Sequence, residues 1–295
     1  MRVLTLTVTQ ELEGSTVGRL LRQELGLSSS LVKSLKWREG GILLNGRAVT
    51  VRAAVKAGDV LTADVGDVRD ASPHIVPVDY PLDILWEDED LLILDKPAGI
   101  AVHAAALTAE TITVAGAVAH YLGGGAFHPV NRLDRGVTGV MVVAKNGYMH
   151  QRCMAILHSE DFHREYLGVC DGVPCPPAGD ITLPIGREAG SLLRRCIDPE
   201  GLPSHTRYEV VSLHGGRALV RLRPLTGRTH QLRLHMAAIG CPLTGDWLYG
   251  TEDRALIARP ALHSHELWLR HPLTGEDIHI TAPLPEDMTR LLAMS

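Results

Sequence analysis

HPVNRLDRGVTGVMVVAK, residues 128–145, is the stretch on which the reading of the fold turns. Its first half is polar and sets one carboxylate, Asp134, between Arg132 and Arg135. Its second half, VTGVMVVAK, is an almost unbroken apolar run that reads as a buried strand. Asp134 therefore sits in a loop delivered by a rigid strand, a setting in which reactive groups concentrate. Taken alone, the stretch balances two readings: Asp134 as the working acid of an enzyme, or as an ion-paired turn residue.

Working outward, LDILWEDEDLLILDKPAGIAVH (82–103) holds two strand-like runs around an acidic turn, followed by the Pro-Gly break of KPAG. A helix-like stretch lies near 111–122 and a Gly-rich turn follows it. Downstream, YMHQRCMAILHSE (148–160) reads as a helix, FHREYLGVC (162–170) as a strand and PCPPAGD (174–180) as a loop. SHTRYEVVSLHGGRALVRLRP (204–224) reads as a hairpin turning at Gly215-Gly216. THQLRLHMAAIG (229–240) is an amphipathic helix with Thr229 as its cap and Gly240 past its end. Strands in meanders with helices interspersed predict an α+β domain with a largely antiparallel mixed sheet.

Ahead of this, residues 14–65 read as a compact α+β unit. GSTVGRLLRQELG has apolar residues at 17, 20, 21 and 25, with Ser15 or Thr16 as cap. SSSLVKSLKWREG is a second helix, from a Ser cap at 28–30 to Gly40. ILLNGRAV is a hairpin, because Asn45-Gly46 supplies both positive-φ positions of a type I′ turn. Residues 66–80 are polar, with two prolines and no period, and read as a linker.

Composition sets the bounds. The 295 residues are 45% hydrophobic and 21% charged, the balance of a globular chain with a sizeable core. No run of eighteen apolar residues offers a membrane span, and the strand-like start is not a secretory signal. Five scattered cysteines, with no CxxC pair, fit a reducing, cytoplasmic setting. Net charge is −5, but residues 1–66 carry nine Lys/Arg against six Asp/Glu, which leaves −8 for the remainder. A basic module on an acidic body suggests a docking part and a working part. Aromatics make up only 4%, few for a single-strand stacking platform.

Beyond Asp134, two places hold chemistry. Tyr166 follows His163 and Arg164, whose charge favours a phenolate, although a strand tyrosine with a surface hydroxyl is the plainer reading. LTGRTHQLRLH (225–235) crowds Arg228, His230, Gln231, Arg233 and His235 together, a dense set of donors suited to carboxylate, phosphate or a base edge. His230 and His235 are five apart, and no acidic or Cys set with ligand spacing lies near His263 and His265 in sequence, so a metal is not expected. There is no GxSxG, no phosphate loop and no GxGxxG.

Five segments, in order, resemble the RluA-type RNA pseudouridine synthases: LLILDKPAGIAVH, HPVNRLDRGVTGVMVVAK, REYLGVC, LTGRTHQLRLHMAAIGCPLTGDWLYG and LHSHELWLRHPLTGE. Residues 14–65 are similar to the S4-type RNA-binding domain. The resemblance implies an S4-type domain over 1–66, a linker over 67–80 and a pseudouridine-synthase-like catalytic domain over 81–295. It implies isomerisation of uridine in structured RNA, ribosomal RNA of the large subunit ahead of transfer RNA, by a cytoplasmic monomer without cofactor or metal. Asp134 is then the essential carboxylate, Tyr166 the ring that stacks on the base and takes its C5 proton, and Arg228 the partner of Asp134. Asn131, Arg132, Thr138, His230, Gln231, Arg233 and Leu234 fall in the substrate site, with Leu234 or a neighbour on its helix lining an apolar wall. Arg19, Lys33, Lys36, Arg38 and Arg47 fall on the RNA-docking face. The chain departs from the family pattern at Asn131 (His), Val137-Thr138 (Thr-Ser) and Arg164 (Lys). A catalytically silent RNA-binding or assembly factor on the same scaffold is the rival, and a His-based metal hydrolase a more distant one.

Overall fold

The computed structural model describes residues 2–67, 75–104, 112–124 and 126–294. Residues 68–74 of the expected linker and the start of the helix placed near 111–122 lie outside the described residues.

The N-terminal part is β1 (Val3–Thr7), α1 (Val17–Gln23), α2 (Ser29–Leu35), β2 (Ile42–Leu44), β3 (Arg47–Ala48) and β4 (Val60–Asp64), with an antiparallel sheet in the order β1-β4-β2-β3. Caps fix both helices: the Thr16 side chain accepts the Arg19 amide and Ser28 Oγ accepts the Leu31 amide. Asn45 and Gly46 take positive φ (51° and 76°), as their hairpin requires. Helix α2 stops at Leu35, well short of the expected Gly40. Trp37 and Arg38 bond back only three residues, and the Arg38 guanidinium is drawn to the Asp64 and Gly66 carbonyls. Leu20, Leu21, Leu35 and Leu61 form a separate small core, into which Tyr148 of the larger part inserts; its hydroxyl donates to the Leu25 carbonyl.

The larger part runs β5 (Ile84–Glu87), β6 (Leu91–Lys96), α3 (Val114–Tyr121), β7 (His128–Pro129), β8 (Thr138–Ala144), α4 (Gly147–Ile156), β9 (Phe162–Asp171), β10 (Ala178–Ile181), β11 (Ile185–Arg187), β12 (Arg195–Ile197), β13 (Thr206–His214), β14 (Arg217–Pro224), α5 (Gln231–Ala238), β15 (Leu262–Arg270), β16 (Asp277–Thr281) and α6 (Glu286–Ala293). The sheet order is β10-β13-β14-β9-β15-β8-β6-β5, with β7 against β8 and β16 against β15. Every pairing in it is antiparallel except β15 with β8. The expected largely antiparallel mixed sheet is therefore present.

The apolar runs split by strand alternation. Leu92, Leu94, Met141 and Val143 join one core with Tyr166, Val118, Leu232 and Met236, under α3 and α5. Leu91, Ile93, Val140 and Val142 join the other with Met149 and Cys153 of α4. A strand covered on both faces gains nothing from polar alternation, which is why VTGVMVVA is apolar at nearly every position.

The parallel β8–β15 junction is only two pairs wide, Thr138 with His263 and Gly139 with Ser264. The Thr138 hydroxyl donates to His263 Nδ1 (2.8 Å), and His263 Nε2 donates to the Ala282 carbonyl (3.2 Å). Burial pushes His263 down to about 4, so it serves as a neutral strut with both ring nitrogens engaged. Thr138, expected in the substrate site, is thus a buried joint between strands. At Gly139, φ is +105° and a Cβ would meet the Ser264 carbonyl oxygen at 2.1 Å, leaving no room for a side chain. Gly139→Ala is expected to lower stability by more than about 2 kcal/mol, read from urea unfolding, because strained φ and steric overlap coincide.

Candidate active site

The Asp134 loop leaves β7 and enters β8, and its exit is held by Asn131. The Val142 amide donates to Asn131 Oδ1 (2.7 Å) and Asn131 Nδ2 donates to the Val140 carbonyl (3.5 Å). The side chain continues the β7–β8 ladder in place of backbone. Asn131 is buried at this task while it also lines the cleft that holds Asp134, and these bonds give the departure from the family histidine a structural use.

The loop is pinned from two more directions. In KPAG, the Gly99 amide donates to the Arg135 carbonyl (2.9 Å) and Arg135 Nε returns a bond to the Gly99 carbonyl (2.8 Å). Lys96, 1% exposed, donates to the carbonyls of Pro97 (2.7 Å) and Arg135 (3.3 Å). Burial brings the Lys96 ammonium down to about 8, with the Asp134 charge opposing that fall. Arg259 donates to the Gly136 carbonyl (3.2 Å) while chelating Asp287 of α6 at 2.7 Å.

The partner of Asp134 is Arg233 on α5. Its Nη1 lies 3.1 Å from Asp134 Oδ2, while Nε and Nη2 grip Asp246 at 2.7 Å each. Arg233 is 5% exposed and the Asp246 side chain is fully buried. Burial opposes the Arg233 charge, but the Asp246 and Asp134 carboxylates outweigh it and raise its pKa. Arg228, the expected partner, makes no ion pair with Asp134; its Nε donates to the Pro203 carbonyl (3.1 Å). The cause is local. Gln231 folds back so that its Oε1 accepts the Arg228 amide (3.0 Å) and the Thr226 hydroxyl (2.8 Å), fastening Arg228 to the loop before the helix. Gln231 Nε2 donates to the His205 carbonyl (2.9 Å) and Thr206 Oγ1 (3.0 Å), so this cleft-lining side chain also holds the loop together.

The helix cap also differs from expectation. His230, not Thr229, is the N-cap, in the left-handed conformation (φ 59°) and without a side-chain capping bond. Its Nδ1 bonds the Tyr249 hydroxyl (2.9 Å) and its Nε2 lies 3.8 Å from Asp134 Oδ2. Burial lowers its pKa, against the pull of Asp134, so near neutrality the ring is an uncharged dipole beside the carboxylate. The Arg233 guanidinium lies over the Tyr249 ring, 5.3 Å from its centroid.

An open cleft of about 1440 Å³ joins these parts, with Asp134, Tyr166, Arg132, Arg228, His230 and Arg233 in its lining. It exceeds an ordinary small-molecule pocket and has room for several nucleotides. Tyr166, on β9 opposite Ser264 of β15 and Leu222 of β14, is 6% exposed, which discounts the surface-hydroxyl reading. Leu232 and Leu262 give the apolar wall; Leu234 is buried but does not line the cleft. Arg132 is exposed at the rim. On the N-terminal part, Arg19, Lys33, Lys36 and Arg47 are exposed, whereas Arg38 is occupied with Asp64 and Gly66. No cluster of three or more His, Cys, Asp or Glu suited to a metal occurs among the described residues, and no helix there is long and apolar enough to cross a membrane.

Missed in the sequence were Asp246, Tyr249, Lys96 and Arg259. The GDWLYG turn and KPAG were the signals available for the first three; Arg259 had none.

Residues 90–238 match the RNA pseudouridylate synthase family. The protein described as "Uncharacterized RNA pseudouridine synthase YjbO" of Bacillus subtilis (strain 168) is 36% identical over 272 residues, 91% of this chain and 95% of that one. Ribosomal large subunit pseudouridine synthase D of Zymomonas mobilis is 33% identical over 98% of this chain and 96% of its own. Among solved structures, human RNA Pseudouridylate Synthase Domain Containing 4 superposes with a TM-score of 0.59 at 25% identity, over 72% of this chain and 92% of that one. Its domain-containing-1 counterpart gives 0.57 at 26%, over 70% and 84%. The chain belongs to the RNA pseudouridylate synthase family, a family of isomerases.

Arg233→Gln is expected to cost about 3–5 kcal/mol in urea unfolding, since it leaves Asp246 buried without its counter-charge. Arg228→Gln is expected to cost about 1 kcal/mol or less, the worth of one hydrogen bond.

Proposed function

We propose that this protein converts specific uridines of large-subunit ribosomal RNA to pseudouridine, with Asp134 as the essential carboxylate. The observation that carries the reading is the Asp134–Arg233–Asp246 relay at the base of a cleft that also holds a buried tyrosine face. Its direction toward ribosomal RNA is supported by relatives named as large-subunit synthases.

The reaction breaks the N-glycosidic bond, turns the uracil and joins C5 to C1′ of the ribose. It conserves every atom and every electron pair, so no co-substrate enters the balance. A stacked base must first be flipped into the cleft, at a cost of roughly a few kcal/mol. Asp134 then acts on the sugar as an ionised group, by attack at C1′ or by proton abstraction at C2′. Both routes need an anion, and the Arg233 guanidinium beside it keeps its own charge throughout the working pH range. Tyr166 gives the uracil a flat face and passes the C5 proton on to solvent as the new bond completes, while N1, freed from the sugar, takes up a proton in return. His230 adds a neutral dipole beside the carboxylate. Arg132 and Arg228, at the rim, meet phosphates, and Leu232 closes the apolar side.

The N-terminal part, residues 1–66, acts as an S4-type docking module through Arg19, Lys33, Lys36 and Arg47. Its basic balance against an acidic body and the exposure of these four side chains support the assignment. Arg38 is excluded from that face by its carbonyl contacts.

Asp134→Asn is expected to abolish tritium release from C5-labelled uridine RNA while stability changes by less than about 1 kcal/mol, because Arg233 keeps Asp246. Substantial turnover in this variant would sink the assignment. Reversing Lys33, Lys36 and Arg47 to Glu is expected to weaken RNA binding and flatten its salt dependence, as fewer counterions are released. Unchanged affinity across a salt titration would show that docking lies elsewhere.

A further inference from the structure

The cleft carries one aromatic side chain that the chemistry above leaves idle. Trp247 lines the cleft, is 52% exposed, and makes no ring contact or side-chain hydrogen bond among the described residues. An indole left in water forgoes much of the stabilisation its burial would bring, and here it does so on a rigid mount. Asp246, one residue earlier, accepts the amides of Leu248 (3.0 Å) and Tyr249 (3.3 Å) while holding Arg233. The same carboxylate that orients the partner of Asp134 therefore fixes the turn from which Trp247 projects.

Two further exposed apolar side chains, Leu193 and Met154, line the same cleft. Arg132, Arg164 and Arg228 supply positive charge in it. Exposed aromatic and aliphatic surface interleaved with arginine matches an unpaired stretch of nucleic acid, whose bases stack while its phosphates pair. Tyr166 is almost fully buried and Trp247 half exposed, so the two rings lie at different depths and do not compete for one base.

We propose that Trp247 stacks on an unpaired nucleobase next to the uridine being isomerised, holding the flanking nucleotide while the target base occupies the deeper site. The inference rests on the reaction read above and adds to it a second base-binding position, one that selects targets lying in unpaired RNA.

The test uses full-length wild type, Trp247→Ala and Trp247→Phe. Tritium release is measured first on ribosomal and transfer RNA transcribed with C5-tritiated uridine. It is then measured on a short stem–loop centred on the uridine found to react, with each flanking nucleotide in turn made abasic. Trp247→Ala is expected to raise KM about tenfold with kcat within about twofold, the scale of one lost base–aromatic stack, while Trp247→Phe keeps most of the binding. An abasic site at the contacted neighbour raises KM of the wild type by a similar factor and has no further effect on Trp247→Ala. An unchanged KM in Trp247→Ala overturns the proposal. So do losses that multiply with the abasic site at every flanking position, or a fall in kcat at constant KM, which marks a packing role through Asp246. Wild type that releases no tritium from any transcript overturns the reading of the reaction itself, and the stacking proposal with it.

Discussion

Arg233 is a buried cation shared by two carboxylates, and most of the site's geometry follows from how it is satisfied. Taking a guanidinium out of water is costly unless its donors are met. Here three of its nitrogens meet Asp246 and Asp134, and its flat face lies over Tyr249. Asp246 belongs to the turn after α5 and Asp134 to the loop before β8, so one side chain ties three segments distant in sequence. The left-handed His230 is an expected accompaniment. A non-glycine residue at positive φ costs of order 1–3 kcal/mol, and the Tyr249 hydroxyl on its ring is among the contacts that hold it there.

The loop bearing Asp134 has little freedom of its own. Asn131 ties it to β8, Lys96 and Gly99 tie it to the KPAG turn, and Arg259 ties it to α6. Fixing a group this firmly spends stabilisation elsewhere in the fold so that little reorganisation is left for the reaction step.

How much of this was legible in the sequence depended on what kind of fact it was. The buried strand VTGVMVVA, the Asn45-Gly46 and Gly215-Gly216 turns and the α+β class follow from local chemistry, and each is present. Asp134 and Tyr166 were singled out by the short motifs around them, and both line the cleft. Arg233 and Arg228 could not be told apart by residue type: both are arginines within six positions. The choice is made by the backward fold of Gln231 onto the Arg228 amide, which only the three-dimensional loop reveals. Leu232 and Leu234 are two residues apart, about 200° around a helix, so naming the wall required knowing which face of α5 meets the cleft. The resemblance set Thr138 and Asn131 in the substrate site. Asn131 does line the cleft, but both side chains satisfy backbone or a buried histidine across strands that the sequence separates by up to 125 residues.

The strand order has a consequence for when the site comes into being. Strand β15 lies between β9, which carries Tyr166, and β8, which follows the Asp134 loop, yet it is formed from residues 262–270, far downstream of both. On the ribosome, both flanking strands emerge long before the strand that separates and aligns them. The two halves of the sheet acquire their relative register only as that late segment slots in, through a junction two pairs wide. A nascent chain that stops before residue 262 holds Asp134, Tyr166 and Arg233 and lacks the strand that lies between β8 and β9, so the two sides of the cleft are aligned only once residues 262–270 are made.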